Sequence, residues 1–274
     1  MLFSWLDDRR RRRILAQPFP EAWHGILRVR VPHLAWLDDA EAAHLRELVQ
    51  VFVAEKHWEG AAGLVLDDEI RVTIAAQACL LILGLEHALY RQVESIVVYP
   101  YTVVVPPPKP GFFAPGGTLP PAGVPIHGQA FARGPVILVW DAVRRGAANP
   151  TDGRNVVYHE FAHKLDMLSG SADGVPPLHD RATYDRWVEV FTQEYEELRR
   201  RTERGASSYL GTYALTNGAE FFAVASEHFF EQPLEMQRDH GAMYELMRDF
   251  YRQDTAARER RHRAAVRGGR PRGG

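Results

Sequence analysis

Residues 155–168 read NVVYHEFAHKLDML, and their spacing decides what the rest of the chain has to support. Val157, Phe161, Leu165 and Leu168 recur at i, i+4, i+8 and i+11, the interval of a helix that buries one stripe. His159 and His163 lie four apart on another face, one turn above each other, so both imidazoles can reach a single metal ion. Glu160, one step round the helix, can reach a water in an open coordination position. The pattern H-E-x-x-H on a helix points to a zinc hydrolase; the plainer alternative is a helix carrying two solvated or structural histidines. Histidines turned away from the core stripe of so apolar a helix favour a cleft wall over core filling.

The surrounding composition is that of a soluble globular protein: 274 residues, 46% hydrophobic and 25% charged. Cys79, the only cysteine, sits in the apolar run AAQACLLILGL and reads as a buried, inert thiol in a reducing compartment. No stretch reaches the roughly 18 apolar residues that a membrane helix needs. The start MLFSWLDDRRRRRIL puts its charges after a short apolar tip, the wrong order for a secretory signal, so the chain is read as cytoplasmic with no membrane partner. The formal net charge is −2, and residues 255–274 hold seven Arg and one Glu; subtracting their +6 leaves −8 for the body. This tail (255–274) is read as basic and disordered, and residues 1–13, with Arg9 to Arg13, as a solvated basic arm; nucleic acid is not the expected partner.

Asp38 or Asp39 can cap a helix running to about Lys56, with Leu45, Leu48, Val49 and Phe52 on one stripe. A second scaffold helix is expected from about Asp68 to Leu83, with Gly84 placed to stop it. Ser95 to Val105 reads as strand broken at Pro100. Pro106 to Pro125, 20 residues with eight prolines and four glycines, reads as a loop or access flap. Gly134 to Trp140 is a short strong strand, which either offers a free edge to an extended peptide or lies inside a sheet.

A catalytic zinc takes three protein ligands, so a third must come from downstream. The metzincin pattern requires Gly at 166 and His at 169, where this chain has Asp166 and Ser169; the thermolysin pattern wants Asp where Val224 stands. His179, Glu220, Glu227, His228 and His240 remain. Glu220 and Glu227 share a helix expected over Asn217 to Glu231 that Pro233 closes. Asn217 with Glu220 is also a capping-box pair, yet a carboxylate among Phe221, Phe222, Val224, Phe229 and Phe230 would favour a metal partner.

The runs AWHGIL, GPVILVWDAV, NVVYHEFAHKLDMLSG and YALTNGAEFFAVASEHFFEQP, with residues 59–85, together resemble the Mlc titration factor A family of bacterial zinc peptidases over about residues 14 to 254. That family is similar to the catalytic domain of lethal-factor-type toxin metalloproteases, which pair H-E-x-x-H with a downstream Y-x6-E, here Tyr213 to Glu220. The resemblance implies an α+β, zincin-like metalloprotease fold in one catalytic domain over 14–254. It implies zinc ligands His159, His163 and Glu220, Glu160 as general base and Tyr213 in the active site. It also implies aminopeptidase-like cleavage of small peptides and binding of the Mlc transcriptional repressor, a link to sugar uptake. The proline-rich segment and the basic tail depart from the family pattern, as does Gln129, where a Glu is expected.

On this reading Tyr213 could donate to the oxyanion of a tetrahedral intermediate. Asp166 or Glu227 could accept the outer N–H of a ligand histidine. The alternative is a regulatory binding protein that sequesters a transcriptional repressor, with hydrolysis incidental.

Overall fold

In the computed structural model, which describes residues 2–104, 125–126, 128–130, 134–206 and 208–268, helices predominate and a small sheet flanks them. Helices α1 (Leu2–Leu15) and α2 (Glu21–Arg30) precede α3 (Asp39–Glu55). Helix α3 begins where Asp38 forms a capping box: Asp38 Oδ1 accepts from Glu41 N at 2.8 Å, and Glu41 Oε2 accepts from Asp38 N at 3.0 Å. Such a cap is worth about 1 kcal/mol. Leu45, Leu48, Val49 and Phe52 are all buried, as their stripe requires.

Helix α4 (Asp68–Leu81), capped by Asp67, is buried on almost every side, so it reads as apolar all round and lies at the centre of the helical layer. It ends two residues before the expected Leu83. Gly84 does more than follow a helix end: a Cβ there would stand 2.5 Å from Arg252 O and 2.6 Å from Tyr251 O, so only glycine lets this turn meet the C-terminal part of the chain.

Strands β1 (His57–Gly60), β2 (Ser95–Tyr99), β3 (Val103–Val104), β4 (Pro125–Ile126), β5 (Gly128–Ala130) and β6 (Val136–Val139) make two sheets. The larger has the order β1-β2-β6-β5, parallel except for β5; β3 and β4 form a separate antiparallel pair. Register places Ile96 beside Val136 and Val98 beside Leu138, and all four face the core. The strand expected over Gly134 to Trp140 is thus shorter and interior. Paired with β2 on one side and β5 on the other, β6 has no free edge, and the edges of this sheet fall to β1 and β5. Residues 106–124 of the expected flap lie outside the described residues.

Helix α5 (Trp140–Ala148) leads to α6 (Val156–Asp166), whose Phe161 packs 5.7 Å from Phe52 and 5.0 Å from Tyr90, ring centre to ring centre. Helix α7 (Arg181–Glu203) stacks Trp187 and Phe191 against the aromatic face of α8 (Gly218–Glu231). Helices α9 (Pro233–Asp239), α10 (Gly241–Tyr251) and α11 (Thr255–Gly268) complete the chain. No helix among the described residues is long and apolar enough to cross a membrane.

Two expectations about the termini need correction. Residues 2–13 are not an arm but most of α1, with Arg10 Nη2 donating to Ala54 O at the end of α3, Arg9, Arg12 and Arg13 exposed and Arg11 half-buried. The tail from Thr255 is ordered helix as far as Gly268, and Thr255, Ala256, Arg258 and Glu259 are buried. Arg258 donates to Glu41 Oε1 from Nε and Nη2 at 2.9 and 2.7 Å and to Gln253 Oε1 from Nη1 at 2.6 Å. Taking a guanidinium out of water costs several kcal/mol unless it is matched, and this one is matched on three nitrogens. Residues 269–274 lie outside the described residues.

Candidate metal centre

Asn155 sets the start of α6. Its Oδ1 accepts from Val157 N and Tyr158 N, both at 3.1 Å, so the helix begins where His159 falls in its second turn. Asn217 does the same for α8, accepting from Glu220 N at 2.9 Å. Only this half of the expected capping box forms, because the Glu220 carboxylate is engaged elsewhere. Glu220 Oε2 lies 2.9 Å from His159 Nε2, and Oε1 lies 3.6 Å from His163 Nε2. The two Nε2 atoms are 3.2 Å apart. His159, His163 and Glu220 each bring one donor atom to within 4.8 Å of the others, the cluster among the described residues that could hold a metal ion.

The helices are clamped at both ends. At one end Glu227 accepts from His159 Nδ1 at 2.8 Å with Oε1 and from Asn155 N at 2.5 Å with Oε2. Glu231, one turn further along α8, accepts from Arg154 N at 3.0 Å and Asn155 Nδ2 at 3.2 Å. At the other end Asp166 Oδ2 accepts from Gly174 N at 2.9 Å, and the loop at Gly174 presses on Gly218, where a Cβ on either glycine would meet the other strand of chain at 2.3–2.4 Å. Of the two carboxylates considered for the outer N–H of a ligand histidine, Glu227 takes it and Asp166 anchors this loop instead.

The electrostatics follow from a buried ring between two acids. Burial alone would depress the His159 pKa, but Glu227 and Glu220 outweigh it and raise it well above the ordinary histidine value. Burial would likewise raise Glu220, and its bonds from His159 and His163 instead hold it well below the usual carboxylate range. The cluster therefore draws positive charge to the point where three donors meet. A proton on His159 Nε2 satisfies the Glu220 contact; a divalent cation there would satisfy all three, and its binding would release that proton. With Nδ1–H directed at Glu227, the Nε2 lone pair is the one left to face a metal. The donor set thus fits a metal ion.

Glu160 is buried, and that burial raises its pKa above the ordinary value despite the neighbouring histidines. Tyr213 stands at the rim, 60% exposed, with its ring centre 5.9 Å from that of His159. Partial burial of the phenol and the adjacent Glu220 charge push its pKa up, so it stays protonated as a donor. The other third-ligand candidates lie elsewhere. His179 pairs with Asp180 on the surface, His240 bonds Glu194 at 2.7 Å, and His228 Nδ1 donates to Gln232 Oε1 at 2.8 Å. Asn155 and Glu231 escaped the sequence reading. An Asn directly before an apolar run is an N-cap signal, whereas nothing local marks Glu231.

A helical framework in which two histidines and a glutamate converge beside a buried carboxylate is what a metallopeptidase requires. The chain belongs to the family described as glucose-regulated metallo-peptidase M90, whose model matches residues 5–252. It is 36% identical over 249 residues to an uncharacterised protein of Synechocystis sp., covering 90% of this chain and 89% of that protein. It is 31% identical over 266 residues to Mlc titration factor A of Serratia proteamaculans, covering 96% of each. Mlc titration factor A of Pectobacterium atrosepticum is also 31% identical, over 241 residues, covering 87% of this chain and 88% of that one. The resemblance carried by the motifs therefore extends across nearly the whole length.

Proposed function

We propose that the protein is a zinc-dependent peptidase with a zincin-like catalytic domain, in which His159, His163 and Glu220 hold the metal. The observation that carries this reading is the convergence of those three donors from α6 and α8, with His159 held from behind by Glu227. A zinc ion at that point supplies Lewis acidity, which acidifies water and polarises a carbonyl. Glu160, its pKa raised by burial, takes the proton of the attacking water and returns it to the leaving amine, so the C–N bond breaks without free acid or base. The Tyr213 phenol donates to the oxyanion. An extended peptide is aligned along the edge strand β5 by backbone hydrogen bonds, which favours peptides over folded proteins as substrates. Cleavage is aminopeptidase-like, as the family resemblance implies, and the setting is a reducing cytoplasm, consistent with the buried Cys79.

Glu160→Gln keeps one zinc per chain and lowers hydrolysis of a fluorogenic peptide about 10²–10⁴-fold, whereas Glu220→Ala releases most of the zinc. Turnover retained by the first variant, or metal retained by the second, removes these assignments. Comparing free with N-acetylated peptides decides the aminopeptidase question.

A second reading rests on the two relatives named Mlc titration factor A, which cover 87% and 96% of this chain. On it, the protein binds a transcriptional repressor of the Mlc type, and hydrolysis is secondary. The hydrolysis-deficient Glu160→Gln protein would then still capture the purified repressor; no capture by it or by the wild type sinks this reading.

A further inference from the structure

Strand β5 is held to β6 by the pairing of Gly128 with Leu138, and on its other face it runs directly over α6. A Cβ built on Gly128 would stand 2.5 Å from Glu160 Oε1, 2.7 Å from Glu160 Cγ and 2.7 Å from Val156 Cγ2. Side chains do not approach this closely, so a methyl group there must displace something. The backbone of Gly128 is not among the left-handed glycines of the described residues, so conformational freedom does not explain why this residue is glycine. Space does. Retreat of the strand would break its pairing with β6, which is held in turn by β2.

We propose that Gly128 is a positioning residue for Glu160: its bare α-carbon lets the edge strand lie against the glutamate and confines the carboxylate to one arrangement. A glutamate side chain otherwise has several rotamers to lose before it can act from a fixed place. Here the wall that removes those rotamers is main chain, which has no side-chain freedom of its own. The inference deepens the peptidase reading and rests on it for its kinetic part. Its structural part, a direct steric coupling between Gly128 and Glu160, stands apart from any activity.

The test is Gly128→Ala. Moving a 2.5 Å contact out to ordinary van der Waals distance shifts the carboxylate by about 1 Å, and a misplacement of that size costs on the order of 10²-fold in rate. The expected result is a fall in kcat of that order, KM within about threefold of wild type, and one zinc per chain retained, because the three atoms nearest the added methyl belong to Glu160 and Val156 and not to a ligand. A role confined to folding would leave the kcat of the folded fraction unchanged. In parallel, the Tm of Gly128→Ala is compared in the wild-type and Glu160→Ala backgrounds. Overpacking lowers Tm by about 5 °C in the first, and by half of that or less in the second, where two of the three contacts are gone.

Equal Tm losses in both backgrounds, an unchanged kcat, or loss of zinc overturns the proposal. If Gly128→Ala does not fold, recovery of folding in the double variant supports the steric coupling and failure there refutes it. Should the wild type hydrolyse no peptide, the peptidase reading fails while the thermal comparison still decides the contact.

Discussion

Tyr213 is the most exposed residue of the candidate site, and its place at the rim defines what it can do. Its phenol keeps its proton across the working pH range, because burial and the Glu220 charge both disfavour the phenolate. A neutral phenol can donate to developing negative charge, and removing one such donor costs about 10²–10³ in kcat. With so much of the ring in water, the lower end applies. Tyr213→Phe should lower kcat about 10²-fold at constant zinc content and nearly constant KM, read by steady-state kinetics on a peptide substrate. An unchanged kcat would leave Tyr213 as a packing residue against His159. Its neighbour Glu220 shows how local signals compete: the sequence around it offers a capping role as well as the favoured ligand role, and the structure splits the two, with Asn217 capping alone and the carboxylate turned to the histidines.

Helices α6 and α8 form the working element, tied at one end by polar bridges and at the other through the Gly174 loop, which bonds Asp166 and packs on Gly218. Glu227 is the central tie, since one oxygen fixes the outer nitrogen of His159 and the other holds the N–H of Asn155, the N-cap of the helix that carries it. Replacing this acceptor by an amide leaves shape and volume almost unchanged but lets a donor face the ring, which favours the wrong tautomer. Glu227→Gln should therefore weaken zinc binding about 10–100-fold while the fold persists, measured by competition with a chromophoric chelator. Affinity equal to wild type would mean that the bond does not orient His159. The histidine pair and Glu160 were legible because 3.6-residue periodicity is local. The clamp was not, because Asn155 and Glu231 are 76 residues apart and only the packing of two helices makes them neighbours.

Across the whole molecule, buried neutral histidines set the response to acid. His33 is buried against Tyr158, and burial lowers its pKa to about 4; burial does the same to His228, beside Gln232. A folded value below the ordinary 6.5 means that the unfolded chain takes up the proton first. The stability contributed is fully present above pH 6.5 and is lost as pH falls towards 4. Asp166 works the other way: burial raises it to about 6, so its contribution is present at low pH and lost as pH rises through 6. The stability advantage of wild type over His33→Gln should shrink by roughly 3 kcal/mol between pH 6.5 and 4, followed by urea unfolding at each pH. An advantage constant with pH would mean that His33 is protonated in the fold. The termini belong to this scale too. Composition marked α11 as a solvated tail, but Arg258 lies against Gln253 and reaches across to Glu41, 217 residues away, and that pairing exists only once α3 and α11 are packed together.

By itself the sequence determined helices α3, α4, α6 and α8, the caps at Asp38 and Asn217 and the pairing of two histidines on one turn, because propensity, capping and periodicity act over a few residues at a time. Tertiary structure decided that Glu220 faces the Nε2 atoms of both histidines while Glu227 takes the outer nitrogen of His159, that β5 and not β6 lies at an edge of the sheet, and that the C-terminal segment folds back on the core. Each of those outcomes depends on which surfaces meet when distant elements pack, and burial and steric contact between them have no signature in the order of residues.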